Sequence, residues 1–134
     1  TSSANNRAYK PKPSTCFSLN NLPAYKQGQV SVSELLTGNS AFGTLAAKNQ
    51  VAAVPSDVIP FPKHEELYFD GGFNTNLYTG DAYPHLFGWQ IEANLDAVRH
   101  AQQSGKGIAT ALWDFLTTYG GHLRWERPTA SKER

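Results

Sequence analysis

The clearest periodicity in the chain lies near its end. From 108 to 119 (IATALWDFLTTY), Ile108, Ala111, Leu112, Phe115, Leu116 and Tyr119 recur at i, i+3 and i+4. That spacing lays apolar side chains along one stripe of a helix. The pattern predicts a helix over 108–119, stopped by Gly120-Gly121. A second helical region starts at Ser31, a serine cap followed by Glu34 in the first turn. Leu35, Leu36, Phe42, Leu45 and Ala46 continue it, and Gly38-Asn39 breaks it into helices over 33–37 and 40–48.

Strand patterns are shorter. His85 to Leu95 (HLFGWQIEANL) is the best of them, with Leu86, Phe87, Trp89, Ile91 and Leu95 apolar and Gly88 marking a bulge or a close backbone approach. Residues 50–61 contain the β-formers Val51, Val54, Val58 and Ile59, interrupted by Pro55 and Pro60. Leu67-Tyr68-Phe69 and 122–127 (HLRWER) read as further short strands. Between them, 70–84 reads as a long Asn/Gly/Tyr loop of the kind that lines sites. Cys16-Phe17-Ser18-Leu19 is a short mixed run stopped by Asn20-Asn21. Asp96 is expected to cap a short helix over 97–103, and Ser104-Gly105-Lys106-Gly107 to form a tight turn. No internal repeat is present.

The order of elements predicts one small α+β domain, with a mixed or mostly antiparallel sheet and helices packed on one face. Its expected limits are 16–127, flanked by a polar arm over 1–15 that carries Pro11 and Pro13 and by a loose basic tail over 128–134. At 134 residues, of which 40% are hydrophobic, the chain is large enough for a core without cross-links. A single cysteine, Cys16, rules out an internal disulfide and a cysteine-based zinc site. The net charge of +1 gives no nucleic-acid signature. No apolar run reaches membrane-spanning length and no charged-then-apolar leader is read. A soluble domain is therefore expected, its compartment left open.

Candidate chemistry concentrates between His85 and Gly107. A thiolate nucleophile needs a base to activate it, and the base needs an orienting partner. Cys16 is followed in chain order by Pro55-Ser56-Asp57-Val58-Ile59, by His85-Leu86-Phe87-Gly88-Trp89, and by His100-Ala101 with Gly105-Lys106-Gly107. In that order these segments resemble the NlpC-type cell-wall peptidases, a compact papain-like family. Thr15-Cys16-Phe17-Ser18 stands where that family has Asp-Cys-Ser-Gly. The resemblance implies cleavage of an amide bond in a peptide or cell-wall fragment. It casts Cys16 as nucleophile, His85 as base and His100 as orienter, without a cofactor or metal. Trp89, Tyr83 and Lys106 are the expected substrate-binding residues.

Three other readings draw on the same region. Residues 104–112 are similar to the pyrophosphate-binding turn of the GNAT acetyltransferases, where N–H groups at a helix start hold the anion. A nuclease could use His85 and His100 as acid and base with Lys106 on the phosphate. Alternatively, Asp57 and Glu92, expected on neighbouring strands, could hold a Mg²⁺ ion. Finally, the aromatic residues over 68–89, Tyr68, Tyr78, Tyr83, Phe87 and Trp89 among them, suit a non-enzymatic module that binds a protein partner, such as an inhibitor, immunity or phage-associated factor.

Overall fold

A computed structural model describes residues 12–64, 66, 68, 73–79, 82–84 and 86–120. Three strands form one sheet in the order β2–β1–β3, with β1 (Thr15–Asn20) in the middle. β2 (Ala53–Val54) runs parallel to β1, and β3 (Gly88–Glu92) antiparallel to it. The helices are α1 (Pro23–Lys26), α2 (Val32–Thr37), α3 (Phe42–Lys48), α4 (Phe73–Tyr78), α5 (Leu95–Arg99) and α6 (Ala101–Tyr119). This is the small α+β domain with a mixed sheet that the element order predicts. No described helix is long and apolar enough to cross a membrane.

Alternation along β1 and β3 divides the sheet into two unlike faces, because successive strand side chains point to opposite sides. The cross-strand register sets Phe17 against Ile91 and Leu19 against Trp89. These four belong to the hydrophobic core or pack against it. The same register sets Cys16 against Glu92, Ser18 against Gln90 and Asn20 against Gly88, which places five polar side chains and a glycine on the other face.

The apolar face is covered by α3 and α6. Phe42, from the first turn of α3, is fully buried between the layers. Its ring meets Phe17 edge-on at 4.8 Å, Trp89 at 4.4 Å and Phe115 of α6 at 6.5 Å. Edge-to-face contacts of this kind add to the area that aromatic side chains bury. Ser31 caps α2 as expected, its Oγ accepting from the Glu34 N–H at 3.1 Å.

Several sequence expectations are corrected. The run at Cys16 is the central strand, extended by one residue before it and one after Leu19. The 50–61 segment contributes only Ala53–Val54 before the cis Val54–Pro55 bond leaves the sheet. The 85–95 strand is confined to Gly88–Glu92. The predicted 70–84 loop contains α4, whose Asn- and Thr-rich sequence is a weak helix former held in place by the sheet beneath it. Asn94, not Asp96, caps α5, its Oδ1 accepting from the Ala97 N–H at 3.2 Å.

The expected Ser104–Gly107 turn is instead the interior of α6. Ser104, Gly107, Ala111, Phe115 and Tyr119 form one buried stripe, so the helical pattern begins before Ile108. A Cβ at Gly107 would lie 2.6 Å from the Asn49 carbonyl oxygen beyond the end of α3, whereas one at Gly105 meets nothing within 4 Å. Packing thus overrides the breaker signal: Gly107 permits close contact, and Gly105 is on the solvent side. The predicted 122–127 strand, the 128–134 tail, His85 and most of the 1–15 arm lie outside the described residues, as do positions 67 and 69 of the second strand.

Two stability outcomes follow. Phe42→Ala removes the ring shared by both layers and is expected to cost about 3–5 kcal/mol in urea unfolding. The two helical glycines respond with opposite sign. Gly105→Ala stabilises by about 0.5–1 kcal/mol, whereas Gly107→Ala destabilises by about 1–3 kcal/mol through overpacking. Equal shifts in melting temperature for both variants would contradict the placement of α6.

Candidate functional site

The polar face of the sheet gathers side chains that a plain core does not need. At one end, the Asn20 carboxamide donates to Asn76 Oδ1 at 3.1 Å and to Thr79 Oγ1 at 2.9 Å. Asn21 Nδ2 donates to the Thr79 carbonyl at 2.6 Å, and Thr79 Oγ1 donates to the Thr75 carbonyl. These bonds fasten α4 and the residue after it over the end of β1. In the middle of the face, Thr75 Oγ1 donates to Gln90 Oε1 at 2.7 Å, and Gln90 Nε2 donates to Glu92 Oε1 at 2.7 Å. Glu92 is half-buried, and among the described residues no cation is ion-paired with it. The Ser18 Oγ, opposite Gln90, is buried and has no hydrogen-bond partner among the described residues.

Cys16 completes this face. It is buried, 7% exposed. Burial pushes its thiol above the ordinary value, the Glu92 carboxylate pushes it further in the same direction, and its own backbone N–H and Lys12 oppose them more weakly. A nucleophilic thiol is instead lowered by nearby cations or a helix start. The Tyr68 phenol is also raised, first by burial and then by Glu66, and Lys12 Nζ lies 6.0 Å from the Tyr68 ring centroid.

No family model, curated protein or solved structure matches this chain. The site must therefore be read from its own residues.

His100 lies elsewhere. It joins the end of α5 to the start of α6, with Nδ1 3.0 Å from the Asp96 carbonyl oxygen and 3.4 Å from Asp96 Oδ1. Its side chain is 64% exposed. It borders a polar cavity of about 220 Å³ with Gln50, Asn94, Gln103 and Ser104. The polar groups there largely satisfy one another. Ser104 Oγ donates to the Ala97 and His100 carbonyls, Gln103 donates to Gln50, and Asn94 bonds Thr15, Ala97 and the Lys12 carbonyl. Among the described residues, the hydrogen bonds of His100 are to Asp96 of α5 and Ser104 of α6. His85 lies outside the described residues.

The expected substrate-binding residues are also dispersed. Trp89 faces the core against Phe42. Tyr83 is exposed, its ring 5.7 Å from that of Tyr78. Lys106 is exposed on α6, beside a surface groove shared with Arg99 and His100. Residues 105–107 lie within α6, so their N–H groups do not form a helix start. Asp57 lies beyond β2, across β1 from Glu92, so the two are not on neighbouring strands. Among the described residues no three His, Cys, Asp or Glu side chains converge to hold a metal.

The residues that sequence reasoning passed over are Ser18, Asn20, Thr75 and Gln90. A signal for three of them was present: polar side chains at 16, 18 and 20 and at 90 and 92 alternate with apolar ones at 17, 19, 89 and 91. Thr75 gave none, because its helix was hidden in a loop-like composition.

The thiol provides a direct check. Iodoacetamide should label Cys16 much more slowly in the folded protein than in denaturant near neutral pH, since burial hides the sulfur and keeps it protonated. Because the folded thiol is raised, its contribution to stability is full below the ordinary thiol value and is lost as pH rises through the folded one. Cys16→Ser should flatten that alkaline loss in melting scans, and an unchanged slope would contradict the environment described.

Proposed function

We propose that the polar face of the sheet is an amide-hydrolysing site in which Glu92 acts as general base. The observation that carries this reading is the half-buried Glu92 carboxylate, with one oxygen fixed by Gln90. A carboxylate whose rotamer is set by a neighbour can draw a proton from water held against it. The hydroxide formed adds to the amide carbonyl carbon. The carbon–nitrogen bond then breaks, and the proton held by Glu92 passes to the leaving nitrogen, giving a carboxylic acid and an amine. A peptide or cell-wall peptide fragment is the substrate class.

The reaction class is the one implied by the resemblance to the cell-wall peptidases. The assignment of the base differs from it. A thiolate at Cys16, activated by His85 and oriented by His100, is the competing mechanism, and the raised Cys16 thiol disfavours it.

Turnover of fluorogenic peptide amides and muramoyl-peptide fragments by the wild type, Glu92→Gln and Cys16→Ser separates the readings. Glu92→Gln is expected to lose about 10²–10⁴-fold in kcat, the usual worth of a general base, while Cys16→Ser keeps most of its activity. The reverse pattern would return the role to the thiol. A wild type that binds these fragments without cleaving them would instead indicate a recognition module.

A further inference from the structure

We infer that Thr75 of α4 is a positioning residue that acts on Glu92 through Gln90. This rests on the role proposed for Glu92. A carboxylate accepts hydrogen bonds but cannot donate them. Gln90 must therefore turn its NH₂ toward Glu92, which leaves its carbonyl oxygen facing α4. Thr75 supplies the proton that this oxygen accepts, at 2.7 Å. The carboxamide is then held at both ends, and its NH₂ bonds Glu92 Oε1 at 2.7 Å. With no donor at position 75, the carboxamide can rotate about its last bond. Its oxygen is then left without this donor, and the carboxamide, restrained only by its bond to Glu92, samples more orientations and holds the carboxylate less firmly.

The position of Thr75 is itself tightly set. The sheet approaches α4 at Gly88, where an added Cβ would overlap the Thr79 Cγ2 and lie 3.1 Å from the Thr75 Cγ2. Asn20 holds the same end of the helix by its bond to Thr79 Oγ1. The short helix is therefore docked closely enough for a single hydroxyl to orient a side chain on β3. Its role goes beyond covering the sheet: the line from Thr75 to Gln90 to Glu92 carries the geometry of α4 to the base.

Thr75→Val removes the hydroxyl with little change of shape, and Thr75→Ser restores it. The side-chain amide protons of Gln90 are to be followed by NMR in all three proteins, together with melting temperature and peptide hydrolysis. In the wild type and in Thr75→Ser, the two Gln90 protons should be well separated and slow to exchange. In Thr75→Val they should shift toward the two positions of a solvent-exposed glutamine and exchange faster with water, with kcat down by about tenfold and KM little changed. An unchanged Gln90 signal in Thr75→Val, or a Thr75→Ser protein that behaves like it, would overturn the inference. If the wild type cleaves nothing, the reading of Glu92 as a base fails, and the Gln90 signal still decides whether Thr75 orients it.

Discussion

The two-sidedness of β1 is the constraint on which the other features depend. Phe17 and Leu19 enter the core from one face of the strand, and Cys16, Ser18 and Asn20 lie on the other. Phe42 makes this division firm. It sits between sheet and helices, touching Phe17, Trp89 and Phe115. A slip of one residue in the β1–β3 register would exchange the faces of a whole strand. That would place Gln90 and Glu92 against Phe42 and would strand their hydrogen-bonding groups, at a penalty no nearby partner offsets. The apolar contact thus fixes the address of the polar site on the opposite face.

The polar face differs from the cavity beside His100 in how its groups are used. Around His100, amides and hydroxyls close on one another or on helix carbonyls, and the arrangement serves to join α5 to α6. On the sheet, the bonds run in one direction, from α4 through Gln90 to a carboxylate without a cation partner among the described residues. Ser18 beside it has a buried hydroxyl with no partner among the described residues. Satisfied networks rigidify a fold, whereas an unmatched buried group calls for an explanation, and a site is one.

Much of the fold was legible in the sequence because helices announce themselves over many residues. Ile108 to Tyr119 and the Ser31 cap lie where the pattern puts them. The short elements were less legible. The two-residue strand at Ala53 is defined by its partner Thr15 and Cys16, not by its own sequence. Phe73–Tyr78 is helical although Asn and Thr favour turns locally, because its Thr75 meets β3 and the residue after the helix, Thr79, meets Asn20. Gly105 and Gly107 carry a breaker signal, yet the buried stripe of Ala111, Phe115 and Tyr119 beyond them and a close contact with Asn49 hold the helix through both.

For the site, the sequence by itself determined which residue types were available. It supplied one thiol, four imidazoles and a Gln90–Glu92 pair on an alternating strand. It also determined that Cys16 and Ser18 would share a face if that run became a strand. Only the tertiary structure decided that Cys16 lies across from Glu92, that His100 bonds Asp96 where α5 meets α6, and that Thr75 reaches Gln90. The physical reason is range. Periodicity is set by the backbone's own geometry within a few residues, and so can be read locally. Which face meets which depends on apolar side chains far apart in the chain finding one another, as Phe17, Phe42, Trp89 and Phe115 do here.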